Sequence, residues 1–333
     1  MLYKNYTDLV NKLVWIIPKK SKRDNMRNIL NDIVNTAYKI EYLIDTNNSI
    51  NDKDERTIII WQCDGFSGQL GKYIFGESIK QNYNNVRIKY DITWHLNYGM
   101  DCFRKEKRIF DLTNCFENLD IEIATKDEIE MFRRLFYVKD ETFYPIDNYI
   151  KKMKNIYFDG YPIALNCDIE KIKEKLDLDK HLLHRLKGDN LIIHNEIINH
   201  PASVSVHVRR GDIKAHRGFG AFKNNDSIYK EYIFKAIYLM IEKLKPIKPK
   251  FFFFSNDMNW VKNNIFKYLN KEVDYTYCND DNKDAVYFDM YLMSSAKNMI
   301  FTIGGFSQTA YMFNKNKNII VISPENINSF INK

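Results

Sequence analysis

The sequence predicts an α/β protein of two domains, each built on a parallel sheet covered by helices. Three observations lead there. The chain has 333 residues, more than one compact core accommodates, so two domains of about 130 to 170 residues are expected. From residue 200 onward short apolar runs alternate with helix-spaced runs, the pattern of parallel strands with helices on both faces. Earlier, the apolar run "TIIIW" (Thr57 to Trp61) enters a glycine-bearing turn, "DGFSGQLGKYIFG", with a helix beginning at Tyr73, Ile74 and Phe75.

Taken in order, the first stretch is "LVWIIPKKSKRDNMRNIL", which sets Trp15, Ile16 and Ile17 beside Lys19, Lys20, Lys22, Arg23 and Arg27. It reads as a basic amphipathic helical extension. Either it packs on the body with its charges solvated, or residues 10–30 lie against the headgroups of an anionic membrane. The polar linker "DTNNSINDKDER" follows. Between about 85 and 195 the pattern is weaker; "RIFDLTNCF" is read as a strand and "KDEIEMFRRLFYV" as a helix. Beyond 200, "SVSVHV" alternates, placing Val204, Val206 and Val208 on one face of a half-buried strand. Then "SIYKEYIFKAIYLMIEKLK" has helical spacing and "KFFFFS" is a short apolar strand. Helix "NWVKNNIFKYLN", strand "VDYTYC", helix "YFDMYLMSSAK" and strand "NMIFTI" come next. Helix "FSQTAYMFN" and strand "NIIVIS", ended by Pro324, close the series.

Composition narrows the function. A net charge of +7, from 50 basic and 43 acidic side chains, suits an anionic small ligand or a membrane surface. It is too weak to nominate nucleic acid, and no RNP, zinc-finger or helix-turn-helix signature is present. The five cysteines (Cys63, Cys102, Cys115, Cys167, Cys278) are odd in number and form no CxxC pair, which argues against a zinc site or a disulfide scaffold and for reduced cytosolic thiols. No apolar run is long enough to span a membrane and no signal peptide is read ahead of the fold. A cytoplasmic location, or a peripheral one on the inner face of the plasma membrane, is expected.

Two stretches carry chemistry. In "VSVHVRRGD", Arg209, Arg210 and Asp212 follow a strand, and parallel sheets bind ligands beyond the carboxyl ends of their strands. Arginine offers a planar fork of donors that matches carboxylate or phosphate oxygens. Two in tandem point to opposite sides of an extended chain, so one reaches ligand and the other braces structure. Asp212 can orient a guanidinium; the plainer alternative is an exposed ion pair of little energetic worth. An RGD adhesion role needs an exposed flexible loop, whereas this tripeptide closes a strand. In "TIGGFSQTAYM" a strand runs into Gly304 and Gly305 and a helix opens near Ser307. Amides at such a helix start form a phosphate site, to which Ser307 can donate; the alternative is an ordinary N-cap. No Walker lysine and no GxGxxG is present. Asp280 and Asp281 in "YCNDDNKD" are read as a solvated turn, not a metal site.

These residues resemble a known family. "VSVHVRRGD" is similar to the HxRRxD motif of the bacterial and animal α-1,2-fucosyltransferases (glycosyltransferase family 11), and more distantly of the α-1,6- and protein O-fucosyltransferases. "FFFFSNDMNWVKNNI", "YFDGY" and "DMYLMSSAKNMIFTIGGFSQTAYMFN" resemble the family's other segments, and "GFSGQLGKYIFG" is a weakened form of its GLGNQLFQYAFG loop; together they span about residues 57 to 325.

The resemblance implies a GT-B-like architecture, two Rossmann-like domains with parallel sheets facing a cleft. That places the extension at 1–55, an acceptor-side domain at 56–198 and a donor domain at 199–333. It implies inverting transfer of L-fucose from GDP-β-L-fucose to a galactose hydroxyl of a surface glycan, such as a lipopolysaccharide O-antigen, or of a lipid-linked glycan, with no metal. Arg209 would bind the donor β-phosphate, with Arg210 and Asp212 completing that motif. His207 would frame the guanosine, Asp289 accept from the guanine edge, and Gly305, Phe306 and Ser307 hold phosphate. Gly65, Gly68 and Gln69 would form the acceptor-side loop, and the base would be Asp212 or Asp64. Metal independence is coherent, because a cation already positioned at the β-phosphate can stabilise the charge that develops as GDP leaves. The chain departs from the family at Gly68, at Gly71 and across Ile303 to Thr309. Two alternatives therefore stay open: the same fold with another GDP-sugar or linkage, and a catalytically silent nucleotide- or glycan-binding protein.

Overall fold

The computed structural model describes Lys22 and residues 26–30, 55–97, 99–100, 107–140, 147–151, 153–160, 164–210, 225–278, 285–302 and 304–327. In chain order its main elements are β1 (Arg56–Trp61), α1 (Phe66–Asn82), β2 (Val86–Asp91), α2 (Leu112–Cys115), α3 (Lys126–Leu135), β3 (Tyr137–Asp140) and β4 (Asn155–Gly160). There follow α4 (Ile169–Lys175), α5 (Leu178–Leu182), α6 (Gly188–Asn199), β5 (Ser203–Val208), α7 (Asp226–Leu244), β6 (Lys250–Ser255) and α8 (Met258–Asn264). The last are β7 (Asp274–Tyr277), α9 (Val286–Ser294), β8 (Asn298–Ile300), α10 (Gly305–Met312) and β9 (Ile320–Ile322). The chain thus adopts the α/β class expected of it, with two parallel sheets. Its contacts divide it into two compact units: Met1–Gln62 with Gly71–Trp94 and Asp120–Asp168, and Cys63–Leu70 with His95–Leu119 and Ile169–Lys333.

In the first unit the strands run in the order β2-β1-β4-β3, all parallel. Ile58, Ile59 and Ile60 of the inner strand β1 are buried. Residues of α1 approach the sheet closely at Gly76, where a Cβ would sit 2.5 Å from the Tyr90 hydroxyl. Ile59 and Tyr157 pack with Ile129, Phe132 and Phe136. The predicted helix "KDEIEMFRRLFYV" forms as α3, opened by a capping box between Thr125 and Glu128. Its last two residues leave the helix and enter β3.

In the second unit the order is β7-β6-β5-β8-β9, again parallel, with Val206 aligned to Phe253 on one side and Ile300 on the other. The expectation of a half-buried β5 is corrected here: all six residues are buried. Helices account for this on both faces. Val204, Val206 and Val208 pack under Tyr229, Ile233 and Ile237 of α7, while α6 packs on β5 and α9, with His194 stacked on Tyr291 at 5.2 Å. Phe251 to Phe254 of β6 are also buried, each worth about 1.5–3 kcal/mol before chain entropy is counted.

Two further expectations change. Residues 169–198, read from sequence as part of the N-terminal domain, group with the second sheet. Asp179 accepts from the Tyr291 hydroxyl at 2.8 Å, and Lys315 bridges Asp177 and Asp179 at 2.9 and 2.6 Å. Nor is "RIFDLTNCF" a strand. The Asp111 carbonyl accepts from the N–H groups of Asn114 (3.1 Å) and Cys115 (2.8 Å), which closes the single helical turn α2. Among the described residues no helix is long and apolar enough to cross a membrane. The basic extension, apart from Lys22 and residues 26–30, lies outside the described residues, as do Asp280 and Asp281.

Candidate functional site

Strands β5, β6 and β8 end together in the second unit, and their ends are stitched by side chains. The Arg209 N–H donates to Thr302 Oγ1 (3.0 Å), the Arg210 N–H to Asn256 Oδ1 (2.7 Å), and Ser255 Oγ to the Val208 carbonyl (2.7 Å). The Tyr229 hydroxyl, whose pKa burial pushes up, donates to the Arg209 carbonyl at 2.7 Å. The backbone beneath the tandem arginines is thereby held on both sides.

The two guanidiniums part company. Arg210 is 3% exposed. It donates twice to Asp226, Nη1 to Oδ1 at 2.9 Å and Nη2 to Oδ2 at 3.2 Å, and lies 3.9 Å from the Trp260 ring centroid. Trp260 Nε1 donates to the same carboxylate at 3.2 Å. A buried, bidentate and stacked arginine of this kind braces the strand end. Its carboxylate partner is Asp226, and Asp212 lies outside the described residues.

Arg209 is half-buried and runs across Gly304. A Cβ on Gly304 would collide with Arg209 Nη1 and come within 3.0 Å of Cδ, and Gly304 also adopts φ +126°. Glycine is required there twice over, for conformation and for space. Gly304 is the N-cap of α10 and no side chain caps that end. The first amides of a helix lack acceptors within it and form a positive end. Arg209 and this helix start thus set a guanidinium beside uncapped main-chain amides, the chemistry that suits an anion.

The other expected donor residues sit around it in different ways. Gly305 is exposed. Phe306 lies against the buried His207 ring, with centroids 5.5 Å apart. Ser307 is fully buried and its hydroxyl turns back to the Gly304 carbonyl at 3.5 Å. This leaves the main-chain amides as the donors of this helix end. Asp289 is half-buried on α9 and, after burial, contributes to raising the Cys278 thiol pKa.

The first glycine loop belongs to the same unit. Asp64 takes φ +89°, and its carboxylate accepts from the Cys63 thiol at 3.4 Å. Gly68 gives it room, since a Cβ there would sit 2.7 Å from Asp64 Cβ. Gly65 carries the Arg108 guanidinium, which a Cβ would strike. Gln69 is fully buried and acts as a clamp. Its Nε2 donates to the carbonyls of Ile109 (3.0 Å) and Asp64 (3.4 Å), and its Oε1 accepts from the Asp111 N–H (2.8 Å). Ser67 and Thr309 hydroxyls are 2.9 Å apart, and Thr309 Oγ1 donates to the Gly305 carbonyl at 2.8 Å. That hydrogen bond joins the first loop to α10.

Sequence reasoning missed Arg108, Asp111, Thr302 and Thr309. The spacing of Arg108 and Asp111 was visible in "RIFD", but the strand reading concealed it.

No curated protein matches the sequence. Similar solved structures include the fucosyltransferase NodZ from Bradyrhizobium, at 14% identity over 78% of this chain and 93% of that one, with TM-score 0.48. NodZ α-1,6-fucosyltransferase soaked with GDP-fucose is 13% identical over the same shares, with TM-score 0.49. A mutant of Arabidopsis thaliana FUT1 in complex with GDP is 12% identical over 86% of this chain and 75% of that one, with TM-score 0.42. The family model described as glycosyl transferase family 11 matches residues 144–333, which takes in both arginines and the Gly304 turn. Matched over more than half its length, the chain belongs to glycosyl transferase family 11.

Proposed function

We propose that this chain transfers L-fucose from GDP-β-L-fucose, with inversion and without a metal, to a galactose hydroxyl in α-1,2 linkage on a surface or lipid-linked glycan such as a lipopolysaccharide side chain. The observation that carries the reading is Arg209 laid over Gly304 at the start of α10, within the segment matched by the family. As the bond from the anomeric carbon to GDP breaks, negative charge grows on the β-phosphate. A guanidinium and helix-end amides fixed in advance stabilise that charge without reorganising.

The test incubates the full chain with GDP-fucose and galactosides, with and without EDTA, and assigns the product linkage by NMR. Turnover is expected to survive EDTA, and Arg209→Ala to lower kcat by about 10²–10³-fold. Turnover abolished by EDTA would remove the metal-free part of the reading. Turnover only with a different nucleotide sugar would replace the donor. GDP binding without turnover of any donor would reduce the chain to a nucleotide-binding protein.

A further inference from the structure

Asp111 stands where the segment leading from Arg108 turns into α2. Its main chain is fixed from both sides, by the Gln69 Oε1 acceptor at 2.8 Å and by the N–H groups of Asn114 and Cys115 on its carbonyl at 3.1 and 2.8 Å. The residue is 9% exposed. It occupies the N-cap position of α2, yet its side chain does not cap that helix. Among the described residues no hydrogen-bond donor reaches its carboxylate. An ordinary structural aspartate this buried would be paired.

Three groups interact with it electrostatically: the Arg108 guanidinium of its own segment, the Cys115 thiol of α2 and the Tyr287 hydroxyl of α9. Arg185 lies behind them, donating to the carbonyls of Asn114 and Cys115 at 2.9 and 3.2 Å and to the Tyr287 hydroxyl at 3.0 Å. Burial raises both the thiol and the phenol, so both stay neutral. Burial likewise pushes the Asp111 carboxyl up to about 6, with the Arg108 guanidinium pulling the other way. A carboxylate that sheds its proton near neutrality, with no hydrogen-bond donor on it among the described residues, is suited to take a proton from substrate.

Its place in the unit is the second observation. Gln69 holds Asp111 with one end of its amide and the Asp64 carbonyl with the other. Ser67, two residues earlier, bonds to Thr309 of α10, whose N-cap Gly304 lies under Arg209. One short loop ties the unpaired carboxylate to the cationic end of the donor site. Asp64 is less suited, since its carboxylate already accepts from Cys63 and is packed on Gly68.

Resting on the glycosyl-transfer reading above, we propose that Asp111 is the general base of the reaction and that Arg108 is the residue that keeps it ionised. The acceptor oxygen forms its bond to the anomeric carbon while the bond from that carbon to the phosphate oxygen breaks. The hydroxyl proton passes to Asp111, and the electron pair of the broken bond leaves with GDP, toward Arg209.

The experiment measures turnover of GDP-fucose by the full chain from pH 5 to 9, with lactose and with water as acceptors, alongside GDP affinity by calorimetry. Wild-type kcat is expected to rise with pH through about 6 and then level. Asp111→Asn should lose about 10²–10⁴-fold in kcat, lack that acid limb and bind GDP as before. Arg108→Gln should move the limb to higher pH, because burial then acts unopposed. A merely structural carboxylate would instead cost stability when replaced and leave the acid limb where it was. The native carboxyl titrates higher than an unfolded one, so this group costs stability as pH rises from about 4 to about 6. The uncharged asparagine escapes that cost and should be no less stable than wild type at pH 7.5. An acid limb retained in Asp111→Asn, or kcat within threefold of wild type, overturns the inference alone. Should that variant not fold, an unmoved limb in Arg108→Gln overturns it. A wild type inert toward GDP-fucose overturns the donor reading, and this inference with it.

Discussion

Two turns of the second unit are written alike, and they are built differently. Gly65-Phe66-Ser67 opens α1 and Gly305-Phe306-Ser307 opens α10. In each, an arginine from elsewhere lies on a glycine, Arg108 on Gly65 and Arg209 on Gly304. The positive φ falls on Gly304 in the second turn, but on Asp64, ahead of the glycine, in the first. A non-glycine residue held there costs about 1–3 kcal/mol and persists only when its surroundings overdetermine it. Gln69 below and Gly68 beside Asp64 supply that constraint. The relaxed turn leaves the first amides of its helix without a side-chain cap. The strained one holds a carboxylate in place. The same three residues thus follow two different turns, and the residue before them decides which.

The largest effect on this comparison is expected from Gly304→Ala. It places a side chain at φ +126° and pushes Arg209 aside. Displacing a positioning group by about 1 Å costs on the order of 10²-fold in rate, so kcat/KM for the donor should fall by about that factor, read from initial rates. An alanine variant with wild-type kinetics would mean that Arg209 does not work from this position. Gly65→Ala comes next. Here the added methyl meets only the flexible end of Arg108, so urea denaturation should show a loss of roughly 1 kcal/mol. A fall in kcat/KM as large as that expected of Gly304→Ala would erase the distinction between the turns. Asp64→Gly should act least and with the opposite sign. Relief of the positive φ outweighs the added freedom of the unfolded chain by about 0.5 kcal/mol, and a stability decrease would show that Asp64 is not strained.

Much of the fold was legible because secondary structure has short periods. The alternating valines about His207, the four phenylalanines of β6 and the helical spacing of "SIYKEYIFKAIYLMIEKLK" each announce their element within a few residues. The position of Arg209 and Arg210 at a strand end, and the opening of a helix after Gly304, could be read the same way. The "RIFDLTNCF" segment could not. Its conformation follows from the Gln69 side chain, 42 residues away in sequence, holding the Asp111 N–H.

Order of elements, class of sheet and the presence of a cation at a strand end followed from local pattern, which residue spacing encodes directly. The division of labour between the two arginines did not. It rests on Asp226, 16 residues beyond Arg210, and on a glycine that shapes the bed of Arg209 across two strands. The Asp111 carboxylate, which no hydrogen-bond donor reaches among the described residues, is of the same kind. Its character comes from what surrounds it, and such surroundings exist only once distant segments have closed on one another at an entropic cost that no local period records.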